Sequence, residues 1–255
     1  MNETTTSVPK IGFASLGCPK GVRSIPTQRW LSLSVTRSSA RATAMCLAGV
    51  FAAFLGTLAG AEELPAAAVV APIFDELFVH QVPAGFKAQA EQTQASVYLR
   101  TFVLASDPST GPWTQRILVS GTKDLGLQAE LTPAMFAMQI AKGFQSSCPT
   151  SFAGGRVAEA NIGTGHSVYV MLVACGSHTL TTNKAPTSEV ALVAVVKGDK
   201  NMYSVQWSER GEAVATKPEP DRAVWGQRLK AITPFLVCPL KAGEAAPYAS
   251  CTARR

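Results

Sequence analysis

Cys148, Cys175, Cys238 and Cys251 are the residues of this 255-residue chain whose type and spacing most invite chemistry. Thiols can cross-link, hold a metal or attack a substrate. The gaps between them are 27, 63 and 13 residues, and no C-x-x-C pair is present. Zinc sites draw on closely spaced Cys or His pairs, so the spacing argues against a metal, including one shared with His166 or His178. An even cysteine count in an oxidising compartment reads as disulfides. Three pairings are open; Cys148–Cys175 with Cys238–Cys251 is favoured because each closes a local loop. No metal and no cofactor are expected.

Other groups give weaker signals. Cys175-Gly-Ser-His178 places a thiol, a hydroxyl and an imidazole together, but catalytic triads converge in space, not along the chain. There is no G-x-S-x-G elbow and no P-loop. His80, His166 and His178 are the only histidines, and His166 reads as an exposed turn residue. Glu159 and Glu209 fall on different expected strands, and a glycosidase would need two carboxylates at a defined separation. Trp113, Trp207 and Trp225 each sit in an expected element. They read as core anchors, or, in the sharper reading, as aromatic platforms for a partner.

The compartment is set by residues 44–61, AMCLAGVFAAFLGTLAGA, an uncharged run after RSSAR and before EELP. Ala59-Gly60-Ala61 has the A-x-A form of a signal-peptidase site, so cleavage is expected between Ala61 and Glu62. The run is at the short end for a membrane span, which needs about 20 apolar residues. Contact with the membrane is therefore expected only if this segment stays uncleaved. Residues 35–61 make a leader of ordinary size. Residues 1–34 then read as a doubtful N-terminal extension, a mis-assigned start or a short fusion.

The chain carries 23 basic and 17 acidic residues, a net +6. Six basic residues and one acid precede residue 44, so the rest is close to neutral, with 17 basic and 16 acidic groups. That balance lacks the basic footprint of a nucleic-acid binder.

The elements that must position these groups can be read along residues 62–255. Residues 62–72 are Ala- and Pro-rich and read as a flexible lead-in, followed by a single domain over 73–240 and a tail over 241–255. Residues 85–92, 96–105, 113–122, 155–163, 166–176, 189–198 and 201–210 have strand character. Gly163-Thr164-Gly165 and Asp199-Lys200 mark hairpin turns. Residues 131–148 repeat apolar groups at helical spacing behind Thr132 as cap and Pro133 at the first position, with a Met and Phe stripe as the buried side. Residues 221–235 read as a second helix, capped by Asp221 and buried through Val224, Leu229 and Ile232. Sequential hairpins predict an α+β domain: a largely antiparallel sheet of about six strands with two main helices packed on it.

Two resemblances bear on function. Residues 9–21, PKIGFASLGCPKG, resemble the start of radical-SAM methylthiotransferases, where Cys18 would match a cluster ligand. The family's C-x-x-x-C-x-x-C motif is absent, and Cys18 has only Cys46 nearby, so a cluster lacks its thiolates. A fragment of such an enzyme is the remote alternative. The second resemblance covers residues 73–240. GPWTQRILV, a Thr-Pro helix ending SSCP, YVMLVACG, NMYSVQWSERG and RLKAITPFLVCP together resemble uncharacterised exported proteins of Gram-negative bacteria with a Mog1/PsbP-like domain. That resemblance implies a periplasmic or secreted, non-catalytic binding or accessory module of the envelope. Its partner would be an envelope protein or a small ligand. The alternative is a secreted hydrolase whose site forms only in three dimensions.

Overall fold

The computed structural model describes residues 66–108, 112–178 and 185–252. The expected extension, the leader, the Ala61–Glu62 cleavage site, Cys18 and Cys46 lie outside them. Ten strands form two antiparallel sheets. The large one takes β3 (Phe86–Gln94), β4 (Val97–Leu104), β5 (Gln115–Thr122), β6 (Phe152–Asn161), β7 (Ser167–His178), β8 (Thr187–Lys197) and β9 (Met202–Glu212) in the order β3-β4-β5-β9-β8-β7-β6. The small one takes β1 (Ala66–Ile73), β2 (Glu76–Pro83) and β10 (Leu236–Pro239) in the order β1-β2-β10. The class is α+β with antiparallel sheets, as expected. The strand count is higher than expected because the small sheet adds three.

Residues 66–72, expected as lead-in, are most of β1 instead. Their alanines and valines read as featureless alone, but they pair residue for residue with β2, from Ala66 opposite Pro83 to Ile73 opposite Glu76. Strand geometry gives them a buried side, and Ala71 and Ile73 are in the core. In the tail, α3 (Ala249–Thr252) carries Cys251, which is fully buried.

The large sheet is apolar on both faces, and each face has its own cover. Side chains alternate across a strand. In β8, Leu192, Ala194 and Val196 face the small sheet and α2 (Arg222–Ile232), while Ala191, Val193 and Val195 face α1 (Pro133–Ser147). Thr132 Oγ1 accepts the Met135 N–H at 3.2 Å and starts α1. The helix buries Ala137 and Ala141 fully and sets Phe136, Ile140 and Phe144 against the sheet. Met135 and Met138, expected in the buried stripe, point to solvent, because the small alanines let the helix approach closely on their side. In α2 the buried residue is Trp225 rather than Val224; Trp225, Leu229 and Ile232 share the inward face at helical spacing.

Two features fix the assembly. The edge strands β3 and β6 each carry a register shift, between Ala88 and Ala90 and between Arg156 and Ala158, which interrupts the flat edge on which another chain could pair. The small sheet is tied to the large one by Glu76. Its buried carboxylate accepts the backbone N–H groups of Asp199 (2.9 Å), Lys200 (3.2 Å) and Asn201 (3.1 Å), the Asn201 amide (2.8 Å) and the Tyr203 hydroxyl (2.8 Å). Among the described residues, no helix is long and apolar enough to cross a membrane.

Candidate functional site

The four cysteines pair locally. Cys148, at the C-terminus of α1, joins Cys175 on β7, with Cα atoms 5.8 Å apart. Cys238 on β10 joins Cys251, with Cα atoms 5.7 Å apart. Cys175 is thereby spent as a cross-link and leaves no thiolate beside His178. Trp207 and Trp225 are 1% and 5% exposed and cannot serve as platforms. Trp207 lies on the side of β9 that meets α2, where its Nε1–H donates to Gln115 Oε1 at 3.2 Å. Glu159 on β6 is exposed and pairs with Arg156; Glu209 on β9 accepts from Arg228 Nε at 2.7 Å. Two strands separate β6 from β9, which puts these carboxylates on the order of 14 Å apart or more. His166 is not a simple exposed turn residue: it bonds Thr164 Oγ1 (2.8 Å) and Asp199 Oδ1 (3.2 Å), so it links two turns.

Among the described residues, Trp113 is the tryptophan that remains accessible, and it anchors a cluster that sequence reading missed. The half-buried indole has the Arg116 guanidinium carbon 4.4 Å and that of Arg210 3.6 Å from its ring centroid. Arg210 Nε donates to Glu189 Oε2 at 3.1 Å, and Arg116 Nη2 lies 3.9 Å from Glu189 Oε1. His178 Nε2 is 3.6 Å from Glu189 Oε2, beyond hydrogen-bond reach. Side-chain exposure falls inward: 26% for Arg116, 14% for Arg210, 6% for Glu189 and 5% for His178.

The sheet builds this cluster. β9 places Arg210 directly opposite Glu189 on β8, and β5 places Arg116 opposite Ser208, one residue pair from Arg210 on the same face of the sheet. That face belongs to α1, whose contacts run to β6, β7 and β8; at this end of β9 the Trp113 indole packs against the Arg210 guanidinium. At the start of β5, Asp107 takes the Thr114 N–H and hydroxyl, each at 2.8 Å, and steadies the turn that carries Trp113. Burial opposes the Asp107 charge, yet these donors and nearby Lys87 hold its carboxyl below the usual range.

Burial likewise pushes the His178 imidazole below its ordinary value, against the pull of Glu189 and with the help of Arg210. His178 is therefore neutral at pH 7. Arg116 is also pulled down by burial and back up by Glu189, but a guanidinium stays protonated in a protein. The local charge is two cations and one anion, a net +1. Several polar atoms there are unused among the described residues: Arg116 Nε, a donor, and both ring nitrogens of His178, one a donor and one an acceptor in the neutral imidazole, are buried without a partner. Such a site can hold an anion. Among the described residues no group of three or more His, Cys, Asp or Glu could hold a metal.

A separate open groove of about 360 Å³ runs between α2 and the β6–β7 hairpin, floored by Gly154, Gly155 and Leu172 and walled by Trp225, Gly226 and Arg222.

Neither a family model nor a curated protein matches the sequence. Among solved structures, the chain is similar to the Ran-binding protein Mog1p of Saccharomyces cerevisiae, at 10% identity and a TM-score of 0.41, over 66% of this chain and 93% of that one. A protein from Bacteroides thetaiotaomicron VPI-5482 aligns at 12% identity and a TM-score of 0.32, over 68% of this chain and about half (51%) of its own length.

Proposed function

We propose that this chain is an exported accessory module of a bacterial envelope that works by binding, through the Trp113 end of its large sheet. The observation that carries the reading is the pair of guanidinium groups held over Trp113 by a buried carboxylate. Such a set is preorganised: the aromatic ring and the ion pair fix two flexible side chains before a partner arrives, which removes part of the entropic cost of association. Export is supported by two buried local disulfides, bonds that persist in oxidising compartments.

The test has two arms. The chain with a C-terminal tag is expressed from its own start in a Gram-negative host, and the periplasmic fraction is analysed by mass. A product beginning at Glu62 is expected; a cytosolic, uncut and reduced product overturns the export half. Envelope extracts are then passed over the oxidised protein and over its Trp113→Ala variant. A component retained by the wild type and lost with Trp113→Ala is expected. Equal retention by both overturns this end as the binding surface.

A further inference from the structure

We propose that Arg116 and Arg210, braced by Trp113, form a subsite for one carboxylate group of a ligand or partner segment, an inference that rests on this end of the sheet being the binding end. The donor inventory points to it. Each guanidinium offers five N–H groups in a planar fork. Arg210 uses one, on Glu189, and Arg116 makes no hydrogen bond among the described residues. Both are too deeply placed to be ordinary solvated surface arginines, with side-chain exposures of 14% and 26%. Arg116 Nε is buried without an acceptor, which costs free energy, and an incoming acceptor removes that cost.

Charge selects the class of acceptor. Arg116, Arg210 and Glu189 sum to +1, with His178 neutral beside them. Asp107 at the start of β5 is already satisfied by Thr114 and offset by Lys87, whose Nζ donates to the Ala105 and Asp107 carbonyls at 3.1 Å. Glu209 lies on the other face of the sheet, paired with Arg228. A monoanion brings the cluster to neutrality. A phosphate dianion leaves an excess negative charge next to the buried Glu189. Geometry agrees: a planar carboxylate takes two parallel N–H bonds from a guanidinium fork.

The probes are acetyl-diglycine with a free C-terminal carboxylate, its C-terminal amide, and inorganic phosphate. They are titrated into the oxidised protein while the Arg116 and Arg210 Nε–H and Trp113 indole N–H resonances are followed. The carboxylate is expected to move all three saturably, the amide none, and phosphate more weakly. Arg210→Lys keeps the charge but loses the fork and is expected to weaken carboxylate binding at least fivefold. Glu189→Gln raises the cluster to +2 and is expected to tighten phosphate at least tenfold; should that variant misfold, Arg116→Lys provides the second reading. Equal shifts from carboxylate and amide, or phosphate binding tighter than carboxylate to the wild type, overturn the proposal. Partner capture that survives Arg210→Lys, with no carboxylate response, overturns this subsite alone. A carboxylate response with no partner captured leaves the subsite standing and counts against the accessory role.

Discussion

Glu76 and Tyr203 lie 127 residues apart and share a buried 2.8 Å hydrogen bond that joins the small sheet to the large one. The contact is one of five that end on the Glu76 carboxylate. Burial first, then the neighbouring charge, pushes the Tyr203 hydroxyl well above its ordinary value, so it remains a donor. Tyr203→Phe removes one charge-assisted bond and is expected to cost about 1.5–3 kcal/mol in urea unfolding. Glu76→Gln keeps the shape but sets an NH2 group against backbone N–H groups. It is expected to cost more, on the order of 3–5 kcal/mol, because donors are stranded in the interior. A Glu76→Gln loss smaller than that of Tyr203→Phe would contradict the lock.

The two disulfides close loops with sequence separations of 27 and 13 residues. Loop-closure entropy predicts losses of about 3.6 and about 2.9 kcal/mol when each is removed. Cys148→Ser with Cys175→Ser is expected to loosen the C-terminus of α1 against β7. Cys238→Ser with Cys251→Ser is expected to free the C-terminal segment that covers Leu77 and Val79 on the outer face of the small sheet. Denaturant midpoints with and without reductant check both; an unchanged midpoint in reductant shows that the bonds do not contribute.

Some of this architecture was legible in local sequence, and some could not have been. Seven strands of the large sheet and both main helices carry their own signals: alternation, β-branched runs, the Thr132-Pro133 start and the Asp221 cap. The Asp199-Lys200 turn even fixes the β8–β9 register, because residues equidistant from it must pair, which sets Glu189 against Arg210. The approach of β5 to β9 has no local signature. Between them the chain passes through α1 and three strands, and only packing decides that Arg116 arrives beside Arg210. The same holds for β1 and β10, whose strand character lies in their pairing with β2 more than in their composition.

His80 makes stability depend on pH. It is fully buried between Phe78 and Phe102, and its Nε2 has no partner among the described residues. Burial lowers its pKa from 6.5 to about 4, opposed by the bond to the Gln81 carbonyl and helped by Arg100. The unfolded chain therefore takes up a proton below about pH 6.5, whereas the folded chain resists until about pH 4. Stability contributed above pH 6.5 is lost as pH falls through that window, about 2 kcal/mol by pH 5 and about 3 kcal/mol in full. His178, shifted in the same direction, adds to the slope. In urea titrations at pH 7 and pH 5, His80→Phe is expected to flatten the dependence relative to wild type. A slope unchanged by that substitution assigns it to other groups.

Gly176 is the position where a single added methyl should undo the candidate site. It sits on β7 between Cys175 and His178, with its N–H on the Ser151 carbonyl (3.1 Å) and its carbonyl accepting the Val214 N–H (2.7 Å). A Cβ there would fall 2.2 Å from the Thr216 carbonyl oxygen and 2.6 Å from that of Val214. Both are backbone atoms, so no side chain can rotate away. The segment after β9 has to lift, and the strand end that carries His178 shifts with it. Gly176→Ala is expected to cost more than about 3 kcal/mol, the scale of overpacking against atoms that cannot yield. Gly155, on β6, is the control: a methyl added there would meet nothing within 4 Å, and Gly155→Ala should change stability by less than about 0.5 kcal/mol. If both variants melt together with wild type, the close approach at Gly176 is wrong. If only Gly176→Ala falls, its Trp113 fluorescence and carboxylate response should fall with it, because the same strand end carries the His178 that lines the cluster.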